Sequence, residues 1–373
     1  MPVPMPTSAD PPSTGRAIQG PPTGAADPPA SEPAAHEPAH APATGPVRWG
    51  ILATGGIAET FCRDLALVPG AEIAAVGSRS TARAAEFGAR HGAARTYGSH
   101  AGLLSDPDVD VVYVATPHPF HMEAVLAAIE AGKAVLCEKP LGMRASESEA
   151  MVAAARRRGT FLMEAMWMRC TPGVRRLRSL VDEGRVGQVR SVQADLGDQL
   201  STDPAARWQN PDLGASTLLD VGVYPLTFVT MLLGEPKALV GQAVLSGRGV
   251  DNAAGLVLTY DSGAIATVTC SQHARTGSTA TVSGDRGRIE VAAPIMAPPS
   301  LRLVATAGDD PDPELFTDPI IGVGMAHEAI EVHRCLQAGL TESPLVPLDE
   351  TVLVARLLDQ ARQACGVVLP GDR

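Results

Sequence analysis

The sequence predicts an α/β protein in which a doubly wound parallel sheet is followed by a second α/β domain. Short apolar strand patterns alternate with helical patterns from Val47 to about residue 168, as right-handed βαβ units require. This alternation stops near residue 169, and beyond it several strand patterns follow one another directly. We therefore expect one domain over residues 47–168 and another over residues 169–373.

Length and composition agree with two globular domains. The chain has 373 residues, of which 45% are hydrophobic, and its net charge is −11. This negative charge argues against nucleic acid or an anionic membrane as the main partner. No apolar run approaches the length of a membrane span and the N-terminus lacks the features of a secretory signal, so we expect a cytoplasmic location. The six cysteines form no CxxC pair and no cluster with histidines, which predicts reduced thiols and no metal site.

Residues 1–46 have a different composition from the rest of the chain. Thirteen of the 32 prolines fall in this stretch, together with many alanines. Such a segment cannot bury enough apolar surface to offset its chain entropy, so we expect a disordered tail.

The elements of the first domain follow from its apolar patterns. "VRWGILA" is a buried strand, and "GGIAETFCRDLALVPG" is a helix with Ile57, Phe61 and Leu65 on one face. The later strands are "AEIAAVGS", "VDVVYVAT", "KAVLCE" and "TFLMEA", with helices ending at Gly132 and Gly159 before the last two. Ligands of such sheets lie at the carboxyl ends of the strands, where the unusual residues of this half are also found.

The first strand is followed by "ATGGIA", residues 53–58, which partly matches the dinucleotide fingerprint GxGxxG/A. Gly55 and Ala58 fit that pattern, whereas Ala53 replaces the first glycine. Gly55 would let the backbone approach a pyrophosphate that the helix N-terminus then stabilises. The alternative is a plain strand-to-helix turn. The candidate cofactor-binding residues here are Thr54, Gly55, Gly56 and Ile57.

The second strand ends in "VGSRS", residues 76–80. In dinucleotide-binding domains, the residue that contacts the adenosine ribose lies at about this distance after the glycines. No carboxylate is present to bind a 2′-hydroxyl. Ser78 and Arg79 instead suit a 2′-phosphate, so we favour NADP over NAD. The alternative is that Arg79 is solvated and Ser80 only caps the next helix.

Two further strand ends carry candidate residues. "ATPHPFH" offers Thr116, Pro117, His118 and His121 in a stiff turn, without the partners that a metal would need. "CEKP" places Glu138 and Lys139 at the same edge of the sheet. Burial would lower the pKa of Lys139 and make it useful for proton transfer. Pro140 would fix the direction of the Lys139 side chain. In one interpretation it does so through a cis peptide bond between Lys139 and Pro140.

In the second half, "TPGVRRLRSLVDEG" is predicted as a helix and "ATVSGDRGRIEVA" as a hairpin. The other predicted strands are "GQVRSVQADLG", "ALVGQAVLS", "AAGLVLTY" and "AIATVTCSQ", and late helices lie near residues 326–338 and 350–365.

The segment "STLLDVGVYPLTF" carries Asp220 and Tyr224 four residues apart, which places both on one face of a helix. Pro225 disfavours α geometry at Tyr224, so we expect the helix to bend or restart there. The alternative is a tyrosine whose hydroxyl is only hydrogen-bonded in the core.

Taken in chain order, "GILATGGIA", "ATPHPFH", "CEKPLG", "EAMWMRCTP" and "LLDVGVYPL" resemble the Gfo/Idh/MocA family over about residues 47–370, nearest its dihydrodiol and xylose-type sugar dehydrogenase branch. The resemblance implies an N-terminal Rossmann domain and a C-terminal α/β domain built on an open, mainly antiparallel sheet. It also implies that the exposed face of that sheet forms a subunit contact, hence a homodimer or larger homo-oligomer.

The resemblance implies roles for individual residues as well. Tyr224 would take or relay a proton, Lys139 would lower the pKa of Tyr224 and stabilise an oxyanion, and Asp220 would orient Lys139 or bind a substrate hydroxyl. His118 and His121 would line the nicotinamide side. Trp167 would be a pocket wall or interdomain packing, Arg169 a cofactor or substrate anchor, and Arg207 with Trp208 a second pair facing the substrate.

These observations predict an NADP-dependent dehydrogenase of an aldose or a vicinal diol. The low aromatic content, 3%, favours a sugar or polyol over a flat aromatic diol. One alternative is a glycoside-cleaving relative that recycles a tightly bound NAD. The other is a nucleotide-binding sensor without catalysis.

Overall fold

The first half of the chain forms the predicted parallel sheet. The computed structural model describes residues 45–201, 203, 206–305 and 312–372, so the expectation for 1–46 lies outside the described residues except at 45 and 46. Six strands pair in parallel in the order β3-β2-β1-β4-β5-β6. They are β1 (Val47–Leu52), β2 (Ala71–Gly77), β3 (Arg95–Tyr97), β4 (Val111–Val114), β5 (Ala134–Glu138) and β6 (Leu162–Ala165).

Helices cover both faces of this sheet, which is why its central strands are almost wholly apolar and buried. They are α1 (Gly56–Leu65), α2 (Thr81–His91), α3 (His100–Leu104), α4 (His121–Glu130) and α5 (Ala145–Arg158). Phe61 and Leu65 of α1 are buried as predicted, but Ile57 is 41% exposed. Ile57 lies in the first turn of α1, where its side chain lines a cleft and is not packed in the core.

The second half contains a mixed, mostly antiparallel sheet, as predicted. Its order is β14-β13-β12-β11-β7-β10-β9-β8, and only β7 and β10 pair in parallel. The strands are β7 (Val189–Gly197), β8 (Ala238–Leu245), β9 (Asp251–Thr259), β10 (Ile265–Ser271), β11 (Ala280–Gly284), β12 (Gly287–Val291), β13 (Ser300–Ala305) and β14 (Glu314–Thr317). The sequence patterns did not predict β3, β13 or β14.

Helices pack on the inner face of this second sheet and leave its outer face exposed. They are α6 (Pro172–Asp182), a π-helical turn (Leu218–Gly222), α7 (Val223–Leu233) and α9 (Leu348–Cys365). Helix α8 (Ala326–Gln337) packs instead against α1 and the turn Trp167–Cys170. Helix α7 contacts β7 and β10, and α9 contacts β8. Short 3₁₀ turns occupy His118–Phe120, Trp167–Cys170, Arg207–Gln209 and Pro211–Leu213.

Among the described residues, the stretch Pro211–Leu233 is long and apolar enough to cross a membrane by length and composition alone. The expectation that no run reaches such a length is therefore wrong. The stretch is apolar because it is a core element: 83% of its apolar window is buried inside the fold.

The two domains share a continuous apolar core. Trp49 of β1 is wholly buried and donates its indole N–H to His333 Nε2 of α8 at 3.0 Å. The carboxylate of Asp64 in α1 accepts the N–H groups of Val323, Gly324 and Ala326 at 3.1 Å, at the start of α8. These contacts fix the first domain relative to the second, so residues from both can hold a constant geometry in the cleft between them.

Candidate active site

A cleft of about 1290 Å³ runs along the carboxyl edge of the parallel sheet and continues between the domains. This edge contains the point between β1 and β4 where the strand order reverses, and ligands of doubly wound sheets bind at such points. The first domain contributes the glycine turn and the ends of β2, β4 and β5. The second domain contributes Leu196, Leu200, Arg207, Trp208, Asp220, Val221, Tyr224 and Met296.

The glycine turn fits a dinucleotide. A Cβ added at Gly55 or Gly56 would meet nothing within 4 Å, so the backbone is open to a ligand. No side chain caps the N-terminus of α1, which leaves its first N–H groups free to bind a phosphate. Ala53 adopts a φ of 90°, which L-residues rarely adopt and which costs about 1–3 kcal/mol. The turn thus forms despite the missing glycine. Thr54 and Ile57 also line the cleft.

The end of β2 presents positive charge to the same cleft. Ser78 is buried, whereas Arg79 and Arg83 are exposed, and neither arginine forms an ion pair within the described ranges. The Arg79 guanidinium lies 5.9 Å from the centre of the Phe120 ring. Ser80 caps α2 by accepting the Arg83 N–H, as one interpretation of the sequence predicted. These groups can bind an anion at this end of the cleft.

The turn after β4 contains two histidines that face different surroundings. His118 lines the cleft with Thr116 and Pro117. His121 is wholly buried, with Nδ1 2.9 Å from the Pro140 carbonyl and Nε2 2.9 Å from the Thr116 carbonyl. The prediction that His121 lines the nicotinamide side is therefore wrong. Its ring instead connects the β4 and β5 turns, and burial lowers its pKa.

Lys139 lies where β5 ends, and the Lys139–Pro140 peptide is cis, as one interpretation of the sequence predicted. The ammonium group donates to the main-chain carbonyl of Asp220 at 2.6 Å and lies 4.8 Å from the centre of the Tyr224 ring. Burial lowers the pKa of Lys139, whose side chain lines the cleft. The preceding Glu138 also lines the cleft, and it accepts hydrogen bonds from the Tyr113 hydroxyl and the Lys139 N–H.

The π-helical turn ends at Gly222 and the α-helix restarts at Val223, so the predicted break lies one residue before Tyr224. Its hydroxyl accepts a hydrogen bond from the Trp167 indole N–H at 2.9 Å. Burial, with the Glu138 charge as the next contribution, raises the pKa of Tyr224 well above its ordinary value. The predicted lowering of this pKa by Lys139 does not outweigh burial, and the ammonium lies beside the Tyr224 ring, 4.8 Å from its centre.

Asp220, Arg207 and His118 form a polar cluster beside this pair. Arg207 Nη2 lies 2.5 Å from Asp220 Oδ1, and His118 Nε2 lies 3.5 Å from the same oxygen. Burial lowers the pKa of His118 to about 3, which leaves its ring neutral near pH 7. Burial also opposes the charge of Asp220, but its interactions with His118, Arg207 and Lys139 together outweigh burial and hold the pKa of Asp220 below its ordinary value.

This polar cluster retains unused hydrogen-bonding capacity. Arg207 Nη1, Asp220 Oδ2 and His118 Nδ1 are all buried, and each lacks a hydrogen-bond partner in the part of the chain that the structure describes. Buried polar atoms normally find partners. A ligand that carries both donors and acceptors would complete the cluster.

Trp167 and Arg169 do not line the cleft among the residues described. The Trp167 ring packs against Gly324, where an added Cβ would come within 2.7 Å of it, and its indole holds Tyr224. This agrees with the packing interpretation of Trp167. Arg169 is buried in an ion pair with Glu350 at 2.6 Å. The prediction that Arg169 anchors cofactor or substrate is wrong, because Arg169 does not line the cleft and its buried guanidinium joins the 3₁₀ turn to α9 through Glu350.

Several cleft residues were not identified from the sequence. The sequence could have indicated Arg83 as a cofactor-binding candidate, because it lies four residues after Arg79 and in the first turn of α2. The others had none, because they come from unremarkable helices, loops and strands: His100, Phe120, Glu123, Leu196, Leu200, Val221 and Met296.

A more open groove of about 970 Å³ lies on the surface beside β2 and β3. Each of its arginines already contacts a carboxylate, so the groove offers a ligand little unused charge. The pairs are Arg48 with Asp110, Arg63 and Arg90 with Glu59, and Arg95 with Asp106. Within the described ranges, no group of three or more His, Cys, Asp or Glu residues is arranged to hold a metal ion.

Comparisons with known proteins agree with this arrangement. Residues 47–166 match the family model described as an oxidoreductase family with an NAD-binding Rossmann fold, and residues 174–290 match the GFO/IDH/MocA C-terminal domain. A trans-1,2-dihydrobenzene-1,2-diol dehydrogenase of Bos taurus is 39% identical over 338 residues, covering 88% of this chain and 99% of the relative.

Two solved structures are similar in fold and sequence. One is a 3-ketoreductase from Actinomadura kijaniata in complex with NADP and TDP-benzene, at 28% identity and a TM-score of 0.77, covering 86% of this chain and 98% of that one. The other is an aldose-aldose oxidoreductase from Caulobacter crescentus in complex with glycerol, at 26% identity and a TM-score of 0.77, with the same coverages of 86% and 98%. The predicted resemblance is confirmed, and the chain belongs to the Gfo/Idh/MocA family of oxidoreductases.

Proposed function

We propose that this protein is an NADP-dependent dehydrogenase that oxidises a CH–OH group of a vicinal diol or a sugar, with Lys139 as the proton acceptor and Tyr224 as a hydrogen-bond donor to the reacting oxygen. One observation carries the proposal: the Lys139 ammonium, the Tyr224 ring and the polar cluster of Asp220, Arg207 and His118 meet in the same cleft as the glycine turn. The names of the relatives, a diol dehydrogenase and an aldose oxidoreductase, support the substrate class.

The cofactor would be held by the first domain. Gly55, Gly56 and the start of α1 would bind its pyrophosphate, and Ser78, Arg79 and Arg83 a 2′-phosphate. Other cleft residues with potential cofactor contacts are Thr54, Ile57, Thr116, Pro117, His118 and Glu138. When bound, the nicotinamide supplies the acceptor for a hydride from the substrate carbon.

The chain's own residues would move the proton. Oxidation releases one proton from the substrate oxygen, and the pKa directions favour the Lys139 amine as its acceptor, since the pKa of Lys139 is lowered and that of Tyr224 is raised. Tyr224, which stays protonated, would donate a hydrogen bond to the same oxygen. The Asp220 carbonyl orients Lys139, and the Trp167 indole orients Tyr224.

The atoms of the polar cluster that lack hydrogen-bond partners favour a substrate with a second hydroxyl group beside the one that is oxidised. A hydroxyl beside the reacting carbon would donate to Asp220 Oδ2 and accept from Arg207 Nη1, completing both. Trp208, whose ring lies 4.1 Å from the Arg207 guanidinium carbon, would cover the carbon skeleton of the substrate. A substrate with one hydroxyl would leave these atoms unpaired.

The test is a turnover assay with purified protein, NADP⁺ or NAD⁺, and a panel of vicinal diols, aldoses, inositols and matched mono-alcohols. We expect NADP⁺ reduction, followed by absorbance, with at least one diol or aldose and much slower reduction with the mono-alcohols. Inactivity with nucleotide retained in the protein would favour internal redox cycling instead. Inactivity without nucleotide binding would refute the dehydrogenase proposal.

Replacing Arg79 with alanine is expected to raise the KM for NADP⁺ about 10- to 150-fold, the value of one hydrogen bond to a charged group. The KM for NAD⁺, which has no 2′-phosphate, should change little. Steady-state kinetics with both cofactors measures the difference. Arg178→Ala, which removes an exposed arginine of α6 outside the cleft, is the control. Equal effects of Arg79→Ala on both cofactors would contradict a 2′-phosphate site.

We also propose that the outer face of the second sheet is covered by a second copy of the chain. Val240, Val244, Val257 and Ile265 are 62%, 64%, 41% and 49% exposed, and Val240 pairs directly with Val257 across β8 and β9. Continuous apolar faces of this kind are unusual on monomers. Light scattering should give twice the chain mass for the wild type and for Leu67→Lys, a control at an exposed apolar side chain of the first domain, but a single chain mass for Val257→Lys. A monomeric wild type would contradict the proposal.

A further inference from the structure

The segment that carries both Asp220 and Tyr224 starts in π register. Leu218–Gly222 form the π turn, and the α register resumes at Val223. Pro225 gives a physical reason, because a proline ring within an α-helix presses against the carbonyl four residues earlier, here that of Val221. The position of the Asp220 carbonyl, and therefore of the Lys139 ammonium bound to it, depends on how this irregular turn is held.

Asp251, the first residue of β9, holds the start of this turn. Its Oδ2 accepts the Leu218 N–H at 2.7 Å, and its main-chain carbonyl accepts the Thr217 hydroxyl at 2.5 Å. A side-chain carboxylate that accepts the N–H at the start of a helical turn fixes that turn as a cap does. Asp251 thus ties the π turn to the second sheet at two points.

The position of Asp251 is costly for a carboxylate. The residue is wholly buried, its Oδ1 lacks a partner among the described residues, and burial raises its pKa to about 6. A buried carboxyl group with an unused acceptor lowers stability. It is not a cleft-lining residue, so contact with a ligand does not account for it.

We propose that Asp251 is a positioning residue for the Lys139–Tyr224 pair, acting through the π turn and the Asp220 carbonyl. The proposal rests on the proposed function where it concerns turnover. Asp251→Ala should displace the turn and lower kcat by about 10- to 100-fold, as small misplacements of reacting groups do, with the Kd for NADP⁺ unchanged. Asp251→Asn keeps an oxygen that accepts the Leu218 N–H and should recover most of the lost kcat.

A matched control is available in the same sheet. Asp195 of β7 also accepts two main-chain N–H groups, from Ser278 at 2.9 Å and Thr279 at 3.2 Å, but among the described residues it makes no hydrogen bond to the π turn. Asp195→Ala should therefore lower the free energy of unfolding without changing kcat. If Asp251→Ala does not fold, Thr217→Val breaks the second point of the same connection and should act in the same direction.

A second measurement does not depend on activity. The sequence contains three lysines, Lys133, Lys139 and Lys237, so ¹³C-methylated lysine side chains can be assigned one by one and titrated by NMR. We expect Asp251→Ala to shift the Lys139 titration toward the ordinary lysine value and leave Lys133 and Lys237 unchanged. An unshifted Lys139 titration would overturn the inference even if the wild type is active. Lack of wild-type turnover with a shifted titration would refute the proposed function alone.

Discussion

Tyr224→Phe is expected to lower kcat by about 10²- to 10³-fold, the cost of removing one donor to a developing oxyanion. The substitution keeps the ring that lies 4.8 Å from the Lys139 ammonium and removes only the hydroxyl. Because the raised pKa keeps that hydroxyl protonated, its contribution is a hydrogen bond to the substrate oxygen and not an anionic base. The Kd for NADP⁺ should stay within about threefold, since the hydroxyl makes no contact that holds the glycine turn.

Steady-state kinetics and nucleotide binding, measured on the same preparations, test this expectation. Trp167→Phe is the matched control, because it removes the indole N–H that orients the hydroxyl but leaves the hydroxyl itself. Its kcat should fall less than that of Tyr224→Phe. A Tyr224→Phe enzyme with nearly wild-type kcat would exclude Tyr224 from the chemical step.

Lys139→Ala is expected to lower kcat by about 10²- to 10⁴-fold, the usual contribution of a general base. It should also change the pH dependence. The lowered pKa of Lys139 means that its neutral amine appears at a lower pH than for an ordinary lysine, so kcat/KM for oxidation should rise with pH through that lowered value. Without Lys139, this rise should disappear.

The measurement is a pH–rate profile of the wild type, Lys139→Ala and Lys133→Ala. Lys133 is a suitable control because its ammonium also donates to main-chain carbonyls, those of Asp106 at 2.6 Å and Val109 at 2.8 Å, and burial also lowers its pKa. It lies outside the cleft. A profile that keeps its rise in Lys139→Ala would assign the proton acceptor to another group.

The sequence predicted most of the fold because strand and helix patterns are local. The apolar runs around Ile51, Val112 and Leu136 became buried parallel strands, and the hairpin at Asp285 and Arg286 closed between β11 and β12. Local patterns could not show that Ile57 lines the cleft, because its exposure depends on where α1 begins relative to the strand ends.

The sequence predicted most of the residues of the site but not how their side chains are arranged. A residue at the end of a strand lies at the edge of the sheet where the ligand binds. Its place in the sequence does not show whether its side chain faces the cleft or the protein interior. His118 and His121 lie three residues apart in one turn and face opposite surroundings. Arg169 was misassigned for the same reason, since its partner Glu350 is distant in sequence. The π turn, which places the Asp220 carbonyl against Lys139, depends on Asp251 from another strand.

The most direct test of the proposed chemistry follows a deuterium atom. Wild-type protein would be incubated with NADP⁺ and a diol or aldose, taken from the active substrates, that carries deuterium on the carbon to be oxidised. Direct hydride transfer predicts net NADPH that carries the substrate's deuterium, formed in equal amount to the carbonyl product. NADPH without that deuterium, or a carbonyl product formed without net NADPH, would contradict direct hydride transfer from substrate to NADP⁺.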